Sequence, residues 1–401
     1  MSNFLTSIHI NKIFHLENID IPIDTNEKKH LIITGKNGSG KTSLLNALVE
    51  FFQDVIRDKQ LTFLDFEKSL KVFEGELDNS SDKKKDQFSA FKKSVEGAYG
   101  RISLKFNDLE EISRKLQGGN FLVAFYAAYR KTKVTVPITP EKPNLNPVFE
   151  IADSKRDEFV KFLVDLKIQE ALARNENALS DADKIKCWFD SFEALLSEIF
   201  EGSKVSLNFN YKDYSFTINQ DGREFGFNQL SDGYSAIIDI VADLILKMQT
   251  QSSLTQFYEK EGIVLIDEIE THLHLEFQRL ILPMLTRVFP NIQFIVTTHS
   301  PFVLSSIENA VAFDLEKKER LEDLTEYSYE ALAEGYFKVK TESNFLQAKL
   351  DRFKELAEKS DRDTAENVEF EELDKEFQTL DESLAPQNVI GSYRQIKLAA
   401  K

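Results

Sequence analysis

The run Gly35-Lys36-Asn37-Gly38-Ser39-Gly40-Lys41-Thr42 constrains the fold more than any other stretch of the chain. It lies between Leu31-Ile32-Ile33, an apolar run of the kind a central strand buried on both faces requires, and a helical pattern. From Thr42 to about Asp58, Leu44, Leu45, Leu48, Phe51 and Phe52 recur at helical spacing. A glycine-rich turn in that context matches a phosphate loop without a gap. Gly35, Gly38 and Gly40 let the backbone N–H groups of the loop, through Asn37, Ser39 and Ser43, turn towards a phosphate. The helix N-terminus adds positive potential. Lys41 is placed to reach the terminal phosphates of a nucleotide, and the Thr42 hydroxyl to hold Mg²⁺.

Three further motifs follow in a fixed order. Asn228-Gln229-Leu230-Ser231-Asp232-Gly233-Tyr234 precedes a helical pattern running Ile237, Ile240, Val241, Leu244 and Leu246. Ser231 reads either as a plain helix N-cap or, with Gly233, as a phosphate contact at a helix N-terminus. Ile263-Val264-Leu265-Ile266-Asp267-Glu268 is an apolar strand ending in two adjacent acids. Charges at the end of a buried strand need partners. Mg²⁺ held by Asp267 and water polarised by Glu268 would supply them. Phe294-Ile295-Val296-Thr297-Thr298-His299-Ser300-Pro301 is a third strand, closed by a histidine. His272 and His274 offer too few neighbouring ligands for a zinc site.

The order of phosphate loop, helical lobe, Leu-Ser-x-Gly, hydrophobic-Asp-Glu and Thr-His-Ser resembles the ABC ATPase superfamily. Within it, Ile8-His-Ile-Asn-Lys-Ile-Phe-His-Leu-Glu-Asn18 and Asp267-Glu-Ile-Glu-Thr-His-Leu-His274 are similar to the RecF, SMC and OLD-like ATPases. They are most similar to stand-alone ATPases of bacterial anti-phage systems such as Septu and PARIS. The resemblance covers roughly residues 4–58 and 205–315. It implies ATP binding with Mg²⁺ and hydrolysis at the interface of a head-to-tail dimer. Glu268 and His299 would act on the reacting phosphate, and Ser231 and Gly233 would meet a γ-phosphate held by the other subunit. His272 and His274 match the loop that crosses the interface. Asp232 and Tyr234 stand where transporter subunits carry Gly and Gln, and Arg130 stands where the family often has a glutamine. Phe14 is the candidate to stack on adenine.

The expected architecture is an α/β head of ABC type with a mixed, mainly parallel sheet, an inserted helical lobe and a C-terminal helical hairpin. Residues 1–150 and 205–318 form the head, 151–204 the lobe and 319–401 a helical tail for assembly or partner contact. Ile8 and Ile10, then Ile19, Ile21 and Ile23, alternate as strands do. Leu122–Tyr129 reads as another strand, residues 78–87 as a surface insertion, and Pro137–Pro147 as a loop. In the lobe, Phe159, Leu163 and Leu166 share one helical face, and Ile185, Phe189, Phe192, Leu196 and Ile199 share another. Val205–Phe209 and Tyr214–Ile218 alternate, and Asp221-Gly222 is a hairpin turn. In the tail, Leu346, Leu350, Phe353 and Ala357, then Phe370, Leu373, Phe377, Leu380 and Leu384, step by three and four. The two stripes either bury each other as a hairpin or leave Phe370, Phe377 and their neighbours to face a second chain or an effector, and contact is the favoured reading because no effector domain is visible.

The net charge of −17 opposes broad wrapping of nucleic acid. The basic stretches Lys83-Lys84-Lys85 with Lys92-Lys93, and Arg130-Lys131 with Lys133, leave only local contact open. No apolar run reaches the roughly 18–20 residues of a membrane span, and the start lacks the features of a signal peptide. A single cysteine, Cys187, rules out an intrachain disulfide and fits the cytoplasm. Three functions are consistent with this reading. The first is an ATPase that senses a trigger and regulates a separate effector, for which a nuclease is one option. The second is a DNA-repair ATPase acting on DNA directly, and the third a nucleotide-dependent scaffold with little turnover. The tail is too short for SMC-type arms and carries no nuclease pattern. A homodimer or higher homo-oligomer is expected throughout.

Overall fold

A computed structural model describes residues 2–57, 100–128, 142–143, 151–153, 156–249, 260–321, 324–336, 344–359, 361–380 and 387–399. The insertion at 78–87, both basic stretches, Tyr129 and Arg130 lie outside the described residues. The chain divides into two units, residues 1–325 and 326–401.

In the first unit, β1 (Leu5–Ile13) and β2 (Leu16–Pro22) form a hairpin, and β3 (His30–Thr34) runs into the phosphate loop and α1 (Lys41–Arg57). Then come β4 (Ile102–Phe106), α2 (Leu109–Gln117) and β5 (Phe121–Tyr126). A six-stranded sheet forms the centre, completed by β9 (Glu261–Ile266), β10 (Ile292–Thr297), β11 (Ala310–Asp314) and β12 (Glu319–Leu321), in the order β12-β11-β3-β10-β9-β5. Its pairings are parallel except β11 with β12. All five residues of β3 are buried, as a strand covered on both faces must be. A second, antiparallel sheet, β2-β1-β4, has one solvated face, and β2 alternates accordingly. Leu44, Leu45, Leu48 and Phe52 of α1 join one core with Ile8 and Ile10 of β1 and with Leu265, Ile295 and Val311 of the central strands. That shared core fixes the N-terminus of α1 against the ends of β3, β9 and β10.

The inserted lobe is a pair of helices, α3 (Phe159–Asn175) and α4 (Leu179–Ile199). Trp188 stacks on Phe192 with ring centroids 5.3 Å apart, and Phe162 meets Trp188 edge-on at 5.6 Å. A three-stranded antiparallel sheet follows, β6 (Val205–Asn210), β7 (Ser215–Gln220) and β8 (Arg223–Gly226). Its second turn has Asp221 at φ 49° and Gly222 at φ 88°, the two positive values a type I′ hairpin needs. The chain then enters α5 (Asp232–Met248), and after β9 and β10 come α6 (Leu275–Val288) and the single turn α7 (Pro301–Leu304). Asp243 on α5 accepts the Tyr126 hydroxyl at 2.7 Å and pairs with Lys247 at 2.9 Å. These buried groups tie α5 to the end of β5.

The second unit contains α8 (Asn344–Glu358) and α9 (Thr364–Thr379), the expected hairpin, and a third helix beyond it, α10 (Gln387–Ala399). Leu350, Phe353, Phe377, Val389 and Tyr393 form its core. Phe370 stacks on Phe353 at 4.7 Å, and Phe377 is buried between Phe353 and Tyr393. The expectation that Phe370 and Phe377 face a partner is therefore corrected. With three helices present, these rings have an intramolecular core to fill, and burial there removes their apolar area from water.

Candidate nucleotide-binding site

In the phosphate loop, Gly35 and Gly40 combine a positive φ with close neighbours. Gly35 has φ 135°, and a Cβ there would lie 2.9 Å from Ser39 Oγ. Gly40 has φ 98°, and its Cβ would lie 2.7 Å from the Leu16 side chain. The loop thus turns tightly under the β1–β2 hairpin. Lys41 is buried, and its ammonium donates to the carbonyls of Gly35 at 2.8 Å and Lys36 at 3.1 Å. Burial lowers its pKa, opposed by the charges of Glu268, Asp267 and Glu270. Thr42, on the first turn of α1, donates its hydroxyl to Asp267 Oδ2 at 2.8 Å. That bond joins the phosphate loop to the end of β9 across 225 positions of sequence.

Asp267 is buried, and its second oxygen accepts the Thr297 hydroxyl at 2.6 Å. The Glu268 N–H donates to the same Thr297 oxygen at 2.7 Å. Glu268 has φ 45°, so the chain turns sharply at the end of β9, and its carboxylate accepts the Thr271 hydroxyl at 3.3 Å. His299 follows β10, with its Nε2 buried and without a hydrogen-bond partner. Burial, then the charge of Lys41, lowers the His299 pKa, which keeps the imidazole neutral at pH 7.

Phe14, His15, Asn37, Gly38, Gly40, Lys41, Thr42, Ser43, Glu268 and His299 line one cavity of about 230 Å³. The structure thus brings Asn37, Gly38, Gly40, Lys41, Thr42 and Ser43 together with Glu268 and His299, while Gly35 lies outside the lining and Asp267 joins through Thr42. Ser39 lies just beneath, with its hydroxyl buried and unpartnered. Phe14 stands at the tip of the β1–β2 turn, φ 48° and 74 % exposed, its ring free at the mouth. Ser231 and Gly233 do not line this cavity. They begin α5, where Ser231 is exposed and its side chain makes no capping bond, so the N-cap reading of its hydroxyl does not hold. A Cβ on Gly233 would come within 3.0 Å of the His272 carbonyl, which packs the Leu-Ser-x-Gly turn against the loop after Glu268. Thr297 and Glu270 were not singled out from the sequence. Thr297 occupies an ordinary strand end, and Glu270 has only its spacing from Glu268 to mark it.

The donor set fits a nucleotide triphosphate with a hard divalent ion. It offers a cation, unpartnered polar atoms on Ser39 and His299, and a hydroxyl–carboxylate pair. Among the described residues no group of three or more His, Cys, Asp or Glu side chains could hold a metal ion on its own. A family model described as "AAA domain, putative AbiEii toxin, Type IV TA system" matches residues 31–305, from β3 to the end of α7.

The chain belongs to this AAA-domain family.

It is therefore a nucleotide-binding protein of the ATPase class. Among its relatives is "Retron Vc95 probable ATPase" of Vibrio cholerae, 25% identical over 71% of this chain and 68% of that protein. "Septu protein PtuA" of Bacillus mycoides is 27% identical over 79% of this chain, which spans 41% of PtuA. "Retron Ec83 probable ATPase" of Escherichia coli is 28% identical over 61% of this chain, which spans 44% of that protein. A solved SMC head bound to the C-winged helix domain of ScpA is similar over 79% of this chain, at 13% identity and a TM-score of 0.39. No described helix is long and apolar enough to cross a membrane.

Proposed function

We propose that this AAA-domain ATPase hydrolyses ATP in composite sites of a head-to-tail dimer and regulates a separate effector protein in anti-phage defence. The observation that carries the reading is the Thr42–Asp267 bond, which joins loop and acid into one site. Lys41 gives up its hold on two loop carbonyls to meet the phosphates. Glu268, in the wall of the cavity, is the carboxylate that orients water. His299 presents its buried Nε2 to the terminal phosphate. Thr42 and Asp267 are the residues that would hold Mg²⁺, which when bound neutralises charge on the phosphate oxygens. Phe14 offers its exposed face to the base. Ser231, exposed at the start of α5, with Gly233 packed behind it, is suited to a γ-phosphate held by a second copy, an isologous arrangement.

The effector is inferred from the company the chain keeps. Its relatives bear Septu and retron names, and the motif order resembles stand-alone ATPases of defence systems. The unit at 326–401, with a core of its own, is the proposed surface for assembly or effector contact. The test is Glu268→Gln, which keeps the side-chain volume and removes the carboxylate. ATP affinity should be unchanged, while steady-state phosphate release falls about 100-fold or more. Undiminished turnover in that variant overturns the assignment.

A further inference from the structure

β10 ends at Thr297, and the next backbone N–H groups must find partners one by one. Thr298 N–H donates to the Ile33 carbonyl at 3.0 Å, Ser300 N–H to Thr298 Oγ1 at 3.0 Å, and Phe302 N–H to Ser300 Oγ at 3.2 Å. The His299 N–H alone in this stretch donates to a carboxylate, Glu270 Oε1, at 2.5 Å. Glu270 reaches it because the chain turns at Glu268. The Thr271 N–H closes on the Glu268 carbonyl at 3.0 Å, and the Ile269 N–H is pinned to the Thr297 carbonyl at 3.1 Å. The other Glu270 oxygen is buried without a partner. Burial raises the Glu270 pKa, only partly offset by the hydrogen bond from the His299 N–H. A carboxylate kept under these conditions is costly for stability alone, since an apolar side chain would fill the space without desolvating a charge.

Resting on the ATPase reading above, we propose that Glu270 is the positioning residue of His299, a clamp between the acid loop after β9 and the histidine loop after β10. The imidazole then points into the cavity because its own peptide is fixed from behind. The clamp also locks two reacting-side groups into one register: Glu268 lies two residues before the carboxylate, and His299 carries the N–H it holds. Glu270 touches neither phosphate nor water in this scheme, so its loss should act on rate rather than on binding.

Three substitutions in the full-length protein test this, with steady-state ATPase and equilibrium binding of a fluorescent ATP analogue. Glu270→Ala should lower kcat about 10- to 100-fold, the loss typical of a misplaced group near the chemistry, with nucleotide affinity unchanged. Glu270→Gln keeps a carbonyl oxygen for the His299 N–H and should restore most of the rate. Glu270→Asp keeps the charge but is one methylene too short, and should resemble Ala. If Ala does not fold, the contrast of Gln with Asp decides alone. Wild-type kcat in Ala or Asp, or a Gln variant as slow as Asp, overturns the clamp. A wild-type protein without turnover would instead fail the ATPase reading, and Glu268→Gln in the same assay separates the two failures.

Discussion

Thr297 Oγ1 accepts the Glu268 N–H and donates to Asp267, so one hydroxyl sets both acids at the end of β9. Nothing in its sequence position announces this, because the bond partner is 30 residues away and threonine is common in strands. The phosphate loop, Asp267, Glu268 and His299 were legible, since each motif is short and its chemistry dictates the residue type. The residues holding them in place were not. His30 is another such residue, with a stronger consequence for stability. Its Nδ1 accepts the Phe294 N–H at 3.0 Å inside the sheet, and burial, then the charge of Lys28, pushes its pKa down to about 4. The unfolded chain binds that proton near pH 6.5, so the folded state is favoured in full above that value. As pH falls from 6.5 towards 4, the unfolded state gains a proton that the folded state refuses. The resulting loss is up to about 3 kcal/mol. Thermal melts between pH 7.5 and 4.5 should show a steeper fall for the wild type than for His30→Gln, which keeps an acceptor but does not titrate. Parallel curves would refute this.

At the scale of elements, the strands flanking the site depend on how closely they approach. Gly262 opens the buried part of β9 between β5 and β10, and a Cβ there would lie 2.3 Å from the Leu122 carbonyl oxygen and 2.8 Å from Leu122 Cβ. Backbone cannot yield as a side-chain tip can. Gly262→Ala should therefore destabilise the first unit by about 3 kcal/mol, the upper end of overpacking costs, measured as a lower urea midpoint with an unchanged slope. A midpoint equal to the wild type would mean that β5 and β9 can separate freely. β3, α1, β9 and β10 were readable because apolar runs and helical spacing coincide with motifs. β4 and α2 were missed although Ile102 and Leu104 alternate and Asp108 caps α2 by accepting the Glu111 N–H. They are short, and they gain stability from packing on α1 and β1 rather than from a long periodic signal. α10 has the steps Val389, Tyr393, Ile396, but these mean little until α8 and α9 supply the core they complete.

For the whole molecule, the decisive question is what the open end of α5 meets. Ser231 is exposed and Gly233 is packed on the His272 carbonyl, while the phosphate-loop cavity is lined by other residues. On the proposed reading, in which Ser231 and Gly233 form the second half of the site, the chain must pair with a copy of itself to complete it. Lys41→Ala spoils the loop half of a site and leaves the Ser231 half sound, whereas Ser231→Arg does the reverse. Each variant alone should lack turnover. A mixed dimer contains one doubly spoiled site and one intact site. At equal concentrations half of the dimers are mixed, and half of their sites work. The mixture should therefore recover about one quarter of the wild-type rate, if exchange is random between isologous partners. Recovery should rise and fall parabolically with mixing ratio, peaking at one to one. The same samples, followed by light scattering at saturating ATP, should show the dimer. No recovery at any ratio, or full activity in a protein that stays monomeric, would mean that one chain completes the site alone. Ser231 and Gly233 would then be only the start of a helix.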